Sequence, residues 1–211
     1  SALSHDCEVP LPEILRVLQV TGLDFICLSD HCVKGLADFN LQWRGVHEGK
    51  RFIPGFEMKD GITPFGVSTG VVLSNKTDAA TLARQIVEHG GVLFYAHPEE
   101  PRAWDRPELT GMEIYNIHTD FKRQRGRLSR LIPDMLLNQQ RYPEQVWRLI
   151  FERPTAFLRR WDELNQTRHN TGIPGNDSHQ NVAVRGFYTE SGALLIEDTR
   201  AKALAEYRLN W

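Results

Sequence analysis

Short apolar runs recur along this chain, and most of them stop at a histidine or a carboxylate. "LDFICLS" (23–29) is followed by Asp30 and His31, and "RFIPGFEM" (51–58) carries Glu57 near its end. "GVLFYA" (91–96) leads into His97. "GMEIYNI" (111–117), with Glu113 and Tyr115 on one side, leads into His118 and Asp120. After 171–176 come Asp177 and His179. "GVSTGVVLS" (66–74) and "GALLIE" (192–197) are weaker runs of the same kind. Short apolar runs bounded by turn formers read as buried strands.

Helical patterns lie between the runs. In residues 10–22, Leu11, Ile14, Leu15 and Leu18 fall three or four apart, with Pro12 in the first turn and Gly22 past the end. Residues 78–91 offer Asp78 as a cap and a Gly-Gly stop. Residues 124–137 and 143–165 also read as helices, the second striped with Trp147, Phe157 and Trp161. Strands alternating with helices predict parallel pairing through helical crossovers, and the number of units points to a barrel rather than an open sheet. In either architecture the functional residues belong at the carboxyl ends of the strands.

The bulk properties narrow the classes. The 211 residues suit a single domain, and 41% hydrophobic with 25% charged residues is a globular composition. A net charge of −2 supplies no basic footprint for nucleic acid, which is not expected as a partner. No stretch is long and apolar enough for a membrane span. The cysteines, Cys7, Cys27 and Cys32, are odd in number and form no C-x-x-C pair. They suggest no disulfide framework and fit a cytoplasmic setting.

Alone, each histidine or aspartate after a strand reads as an ordinary loop residue, and Asn176-Asp177 is common turn chemistry. His47, His89 and His169 stay in that class. The repetition across strands argues for one shared site. Imidazoles and carboxylates without thiolates suit zinc, manganese or iron, and several carboxylates invite more than one ion. A Ser-His-Asp triad is disfavoured, because there is no G-x-S-x-G elbow and Ser178 alternates with its neighbours on an extended segment.

Several stretches, in order, resemble the polymerase and histidinol phosphatase (PHP) superfamily of metal-dependent hydrolases. "SHDCEVPLPEILRVLQVTGLDFICLSDH" is similar to its first two motifs and "IPGFEM" to its glutamate motif. "LFYAHP" and "MEIYN" resemble its central strands, and "GNDSHQN" its closing Asp-x-His. The resemblance implies a distorted (β/α)7 TIM-like barrel over residues 1–211, holding two or three divalent ions (Zn, Mn or Fe) at the carboxyl ends of the strands. It implies His31, Glu57, His97, His118, Asp177 and His179 as metal ligands, with Glu57 bridging, Asp30 behind His31, and His5 or Asp6 adding a ligand. The family's opening His-x-His has no counterpart in the chain. Truncation at the N-terminus is the expectation, with true loss as the alternative.

The function expected from this resemblance is a metal-dependent phosphoesterase acting on a small phosphorylated molecule. A hydroxide bridging the ions would attack phosphorus, and His118 or His179 would protonate the leaving group. Arg102, Lys122, Arg123 and Arg185 are candidates for holding the phosphate. Two alternatives stand beside it. One is a metallohydrolase of amides, carbamates or carboxylic esters. The other is a degenerate, noncatalytic binding module.

Overall fold

A computed structural model describes residues 1–5, 7–124, 137–138, 141–142, 145, 148, 151–175, 177, 184–198 and 203–208. The chain divides into two units, Ser1–Tyr115 with Pro154–Gly175, and Asn116–Arg153 with Asn176–Trp211. The helices are α1 (Leu11–Thr21), α2 (Ala79–Glu88), α3 (Ile117–Arg123) and α4 (Thr155–Asn165). The strands that build the first unit are β1 (Phe25–Cys27), β2 (Asp30–His31), β3 (Leu36–Asp38), β4 (Gly45–His47), β5 (Lys50–Ile53), β6 (Phe56–Glu57), β7 (Ile62–Phe65), β8 (Val72–Ser74), β9 (Val92–Tyr95), β10 (Leu109–Asn116) and β11 (Thr171–Gly175).

Helix α1 follows the periodicity read from the sequence. Its inward residues Leu15 and Leu18 pack with Leu28 and Phe52 as one apolar cluster. Leu28 follows β1, and Phe52 lies on β5, which pairs parallel with β1 and antiparallel with β4. The Asp78 carboxylate caps α2, accepting from the N–H groups of Ala80 (3.1 Å) and Thr81 (2.9 Å). The inner face of α2, Leu82 and Ile86, joins Phe39, Phe56, Ile62 and Leu93 in the larger core cluster.

The parallel pairings β1–β5, β2–β6 and β9–β10 agree with the crossover pattern. Antiparallel pairs accompany them. Strand β7 runs antiparallel to β9 and escaped the sequence reading because Pro64 interrupts it. It lies at the edge of the sheet ordered β11-β10-β9-β7, where proline's missing N–H costs no ladder bond. Within 66–74 only β8 is a strand, paired antiparallel with β3.

The predicted helix 143–165 is interrupted: residues 145 and 148 are helical, and the other residues of 143–150 lie outside those described. Residues 151–154 are not helical, and α4 starts only after Pro154. Beyond α4, Arg168 donates from its guanidinium to the carbonyls of Trp104 (2.8 Å) and Arg106. Trp161 Nε1 donates to the Asn170 carbonyl at 2.8 Å. The predicted helix 124–137 lies almost wholly outside the described residues.

In the second unit, β12 (Val184–Tyr188), β13 (Ala193–Asp198) and β14 (Ala203–Arg208) form an antiparallel meander ordered β12-β13-β14. The run 192–197 is thus a strand, as expected, but its partners are antiparallel. A tight turn joins β12 to β13, closed by Gly192 N–H donating to the Thr189 carbonyl at 2.9 Å. Among the described residues the strand pairings of the whole chain form five sheets of two to four strands. The architecture is mixed α/β.

Candidate metal centre

The shortest parallel pair does the most to position chemistry. Strands β2 and β6 align His31 with Glu57 and Asp30 with Phe56. Side chains alternate along a strand, so the His31 and Glu57 pair shares one face and the Asp30 and Phe56 pair the other. Burial follows that division. Asp30 is 2% exposed and Phe56 0%, whereas the His31 and Glu57 side chains keep 30% and 20% of their surface.

The two oxygens of Glu57 face different histidines. His97 Nε2 lies 3.0 Å from Oε1, and His31 Nδ1 lies 3.8 Å from Oε2. The His5 ring stands over His31 with centroids 5.0 Å apart, and the His31 N–H donates to Ser4 Oγ at 3.2 Å. His5, His31, Glu57 and His97 are thus brought into one neighbourhood within the first unit, linked in pairs.

His97 follows β9 in the left-handed backbone region, with φ 51°. Its N–H donates to Glu113 Oε2 at 3.0 Å, and its ring Nδ1 lies 3.3 Å from Glu99 Oε1. The Glu57 hydrogen bond, then the Glu99 one, raise the pKa of His97 to about 10 against the opposing effect of burial. Without a metal the ring is an imidazolium donating from both nitrogens.

Behind His31, Asp30 is held by polar donors. Ser1 Oγ donates to its Oδ2 at 2.9 Å and Gln42 Nε2 at 2.6 Å, while the Ser1 nitrogen contacts Oδ1. Gln42 is 6% exposed and also bonds both peptide groups of Gly55 at 2.8 Å. Gly55 joins β5 to β6 where a Cβ would overlap the Phe65 ring and the Leu28 carbonyl. These contacts fix the backbone two residues before Glu57.

In the second unit, His118 lies in the first turn of α3, where Asn116 Oδ1 accepts from the Thr119 N–H at 2.9 Å. His118 Nδ1 donates to Asp177 Oδ2 at 2.7 Å. Asp177 is also left-handed, with φ 48°. The bond places a ring proton on His118 Nδ1 and so fixes the tautomer of the neutral ring. Asp6 and His179 lie outside the described residues.

The donor types, imidazole nitrogens and a carboxylate, are those a divalent ion takes. Glu57 stands 3.0 Å from His97 and 3.8 Å from His31 through different oxygens. Among the described residues, no group of three His, Cys, Asp or Glu side chains is arranged to hold one ion. Burial pushes the Cys32 thiol up to about 11.

Four contributors escaped the sequence reading as site residues: Ser4, Gln42, Glu99 and Glu113. Glu113 did leave a signal. A carboxylate inside a strand that reads as buried needs a partner, and here the partner is a backbone N–H. Gln42 left none, because its partners are a distant peptide and Asp30. Arg102, a candidate phosphate holder, instead folds the loop after His97. Its side chain is 4% exposed, and it donates to the Ala96 carbonyl (3.1 Å), the Pro101 carbonyl (3.2 Å) and Glu100 (3.1 Å).

Compared with known proteins, the chain matches no family model and no curated sequence. Among the described residues no helix is long and apolar enough to cross a membrane.

Proposed function

We propose that the chain is a metal-dependent hydrolase of phosphate esters, of the kind the PHP superfamily resemblance implies, with that family's distorted barrel. The observation that carries this reading is the Glu57 carboxylate, whose two oxygens are divided between His97 and His31. A carboxylate presented in this way suits a bridge between two ions. When bound, divalent ions supply Lewis acidity, activating water near neutral pH and offsetting charge on the phosphoryl group.

The protein's own residues have separable parts in this proposal. Glu57, His31 and His97 hold the ions, with His5 beside His31. The further expected ligands are Asp6, His118, Asp177 and His179, of which Asp6 and His179 lie outside the described residues. His118, whose Nδ1–H is held by Asp177, is the proposed acid: it takes up a second proton to become an imidazolium and gives that proton to the leaving oxygen. A small phosphorylated molecule is the proposed substrate. A cytoplasmic setting accords with three free cysteines.

The test is a screen of p-nitrophenyl phosphate, bis-p-nitrophenyl phosphate and p-nitrophenyl acetate, each with added manganese or zinc. Metal-dependent turnover of a phosphate ester, abolished in Glu57→Gln, is the expected result. Turnover of the acetate alone would move the assignment to carboxylic esters and defeat the proposal. A noncatalytic binding module is the second reading, favoured by the lack of a three-residue cage among the described residues. Less than about half an equivalent of metal after reconstitution would favour it.

A further inference from the structure

His97 occupies a backbone conformation that side chains other than glycine rarely take, with φ 51°. Such a conformation persists only where surrounding structure holds it. One group in the structure does so directly. Glu113, on β10, accepts the His97 N–H with Oε2 at 3.0 Å. The carboxylate is buried, with Glu113 6% exposed. The ladder explains why it can reach. Met112 is in register with Tyr95, so Glu113 stands just beyond the last paired residues, beside the point where the chain leaves β9.

A third residue makes room for the carboxylate. Gly175, at the end of β11, comes so close that a Cβ there would overlap Glu113 Oε1 and approach its Cδ to 2.8 Å. The sheet order places β11 beside β10. Glu113 is therefore gripped between a glycine backbone and the His97 amide. A second contact set folds the same loop. Arg102 donates to the Ala96 carbonyl, the residue before His97.

We infer that Glu113 is a positioning residue for metal binding: through its bond to the His97 amide it holds the turn that aims His97 Nε2 at Glu57. This rests on the metal-site reading above and deepens it. The carboxylate acts as a hydrogen-bond acceptor on the backbone, so an amide oxygen at the same place can replace it. A metal ligand would not tolerate that exchange, because a neutral amide is a far weaker donor to zinc than a carboxylate.

Three variants test the inference: Glu113→Ala, Glu113→Gln and Gly175→Ala. The last keeps the carboxylate in the chain but pushes it off the amide, so it remains informative if the cavity in Glu113→Ala prevents folding. Hydrogen exchange of the His97 amide is read in metal-free protein, and affinity is read by titration with zinc ion alone. The expected result is loss of His97 protection in Glu113→Ala and Gly175→Ala and its retention in Glu113→Gln. Zinc binding should weaken by about 10- to 100-fold in the first two and recover most of that in the third. Unchanged protection in Glu113→Ala overturns the inference, as does a loss of zinc affinity in Glu113→Gln equal to that in Glu113→Ala. Should the unsubstituted protein bind neither zinc nor manganese, the metal reading fails, while the exchange data still decide what Glu113 does to the turn.

Discussion

The side-chain amide of Gln42 spans the peptide of Gly55. Its Oε1 accepts the Gly55 N–H and its Nε2 donates to the Gly55 carbonyl, both at 2.8 Å. The second Nε2 hydrogen goes to Asp30 at 2.6 Å. The amide cannot be turned over, because the flip would set nitrogen against the N–H and oxygen against both the carbonyl and the carboxylate. One buried residue thus joins the backbone before Glu57 to the strand that carries His31.

Gln42→Ala should lower the stability of the protein by about 3 kcal/mol, since it removes the side-chain partner of the buried Gly55 N–H and carbonyl and one of the donors to Asp30. Urea unfolding checks this. A change below about 1 kcal/mol would show that solvent takes over the bonds without penalty.

Gly55→Ala should be worse tolerated than a typical loop substitution. The added methyl overlaps the Leu28 carbonyl as well as the Phe65 ring, and a backbone atom cannot rotate away. A loss of about 1–3 kcal/mol is expected from forced backbone movement, and zinc affinity should fall with it as β6 shifts. Phe65→Leu, which removes the ring edge, should recover only part of the loss, because the Leu28 clash remains.

In metal-free protein the His97 ring should titrate near pH 10. The sign follows from the raised value. The stabilisation is fully present below the ordinary histidine value of about 6.5 and is lost as pH rises through about 10. The Hε1 resonance of His97, followed by NMR, reads the midpoint directly. Glu57→Gln should move it down further than Glu99→Gln does. A midpoint near 6.5 in the unsubstituted protein would remove the imidazolium from this site.

Zinc binding should release a proton from His97. Coordination at Nε2 needs the neutral ring, so apparent affinity should rise by about tenfold per pH unit below 10 from this group alone. Calorimetry in buffers of differing ionisation enthalpy counts the protons. No release at pH 7 would mean that zinc does not take Nε2.

What the sequence showed and what it hid follow the range of the interactions. Helices α1 and α2 were legible because apolar spacing, Asp78 and the glycine stops are local signals. The end of β9 was legible because a polar residue after an apolar run marks the carboxyl end of a strand, whereas β2 and β6 were not, since 23–29 with its following Asp30 and His31 and 51–58 each read as one run and fold as two short strands. Strand β7 was hidden by Pro64, which an edge position tolerates. The start of α4 was hidden because the apolar stripe continues through Pro154. Gln42 and Glu113 were beyond reach as site residues for another reason: their roles depend on Gly55 and His97, residues 13 and 16 positions away.

The guanidinium of Arg168 has a consequence for synthesis. It binds carbonyls of the stretch after His97, and one of these, Arg106, precedes it by 62 residues. At about 5–20 residues per second, translation leaves that stretch without this clasp for roughly 3–12 s. The order of synthesis therefore puts this clasp last among the ties of that loop, after the local one that Arg102 makes to the Ala96 carbonyl.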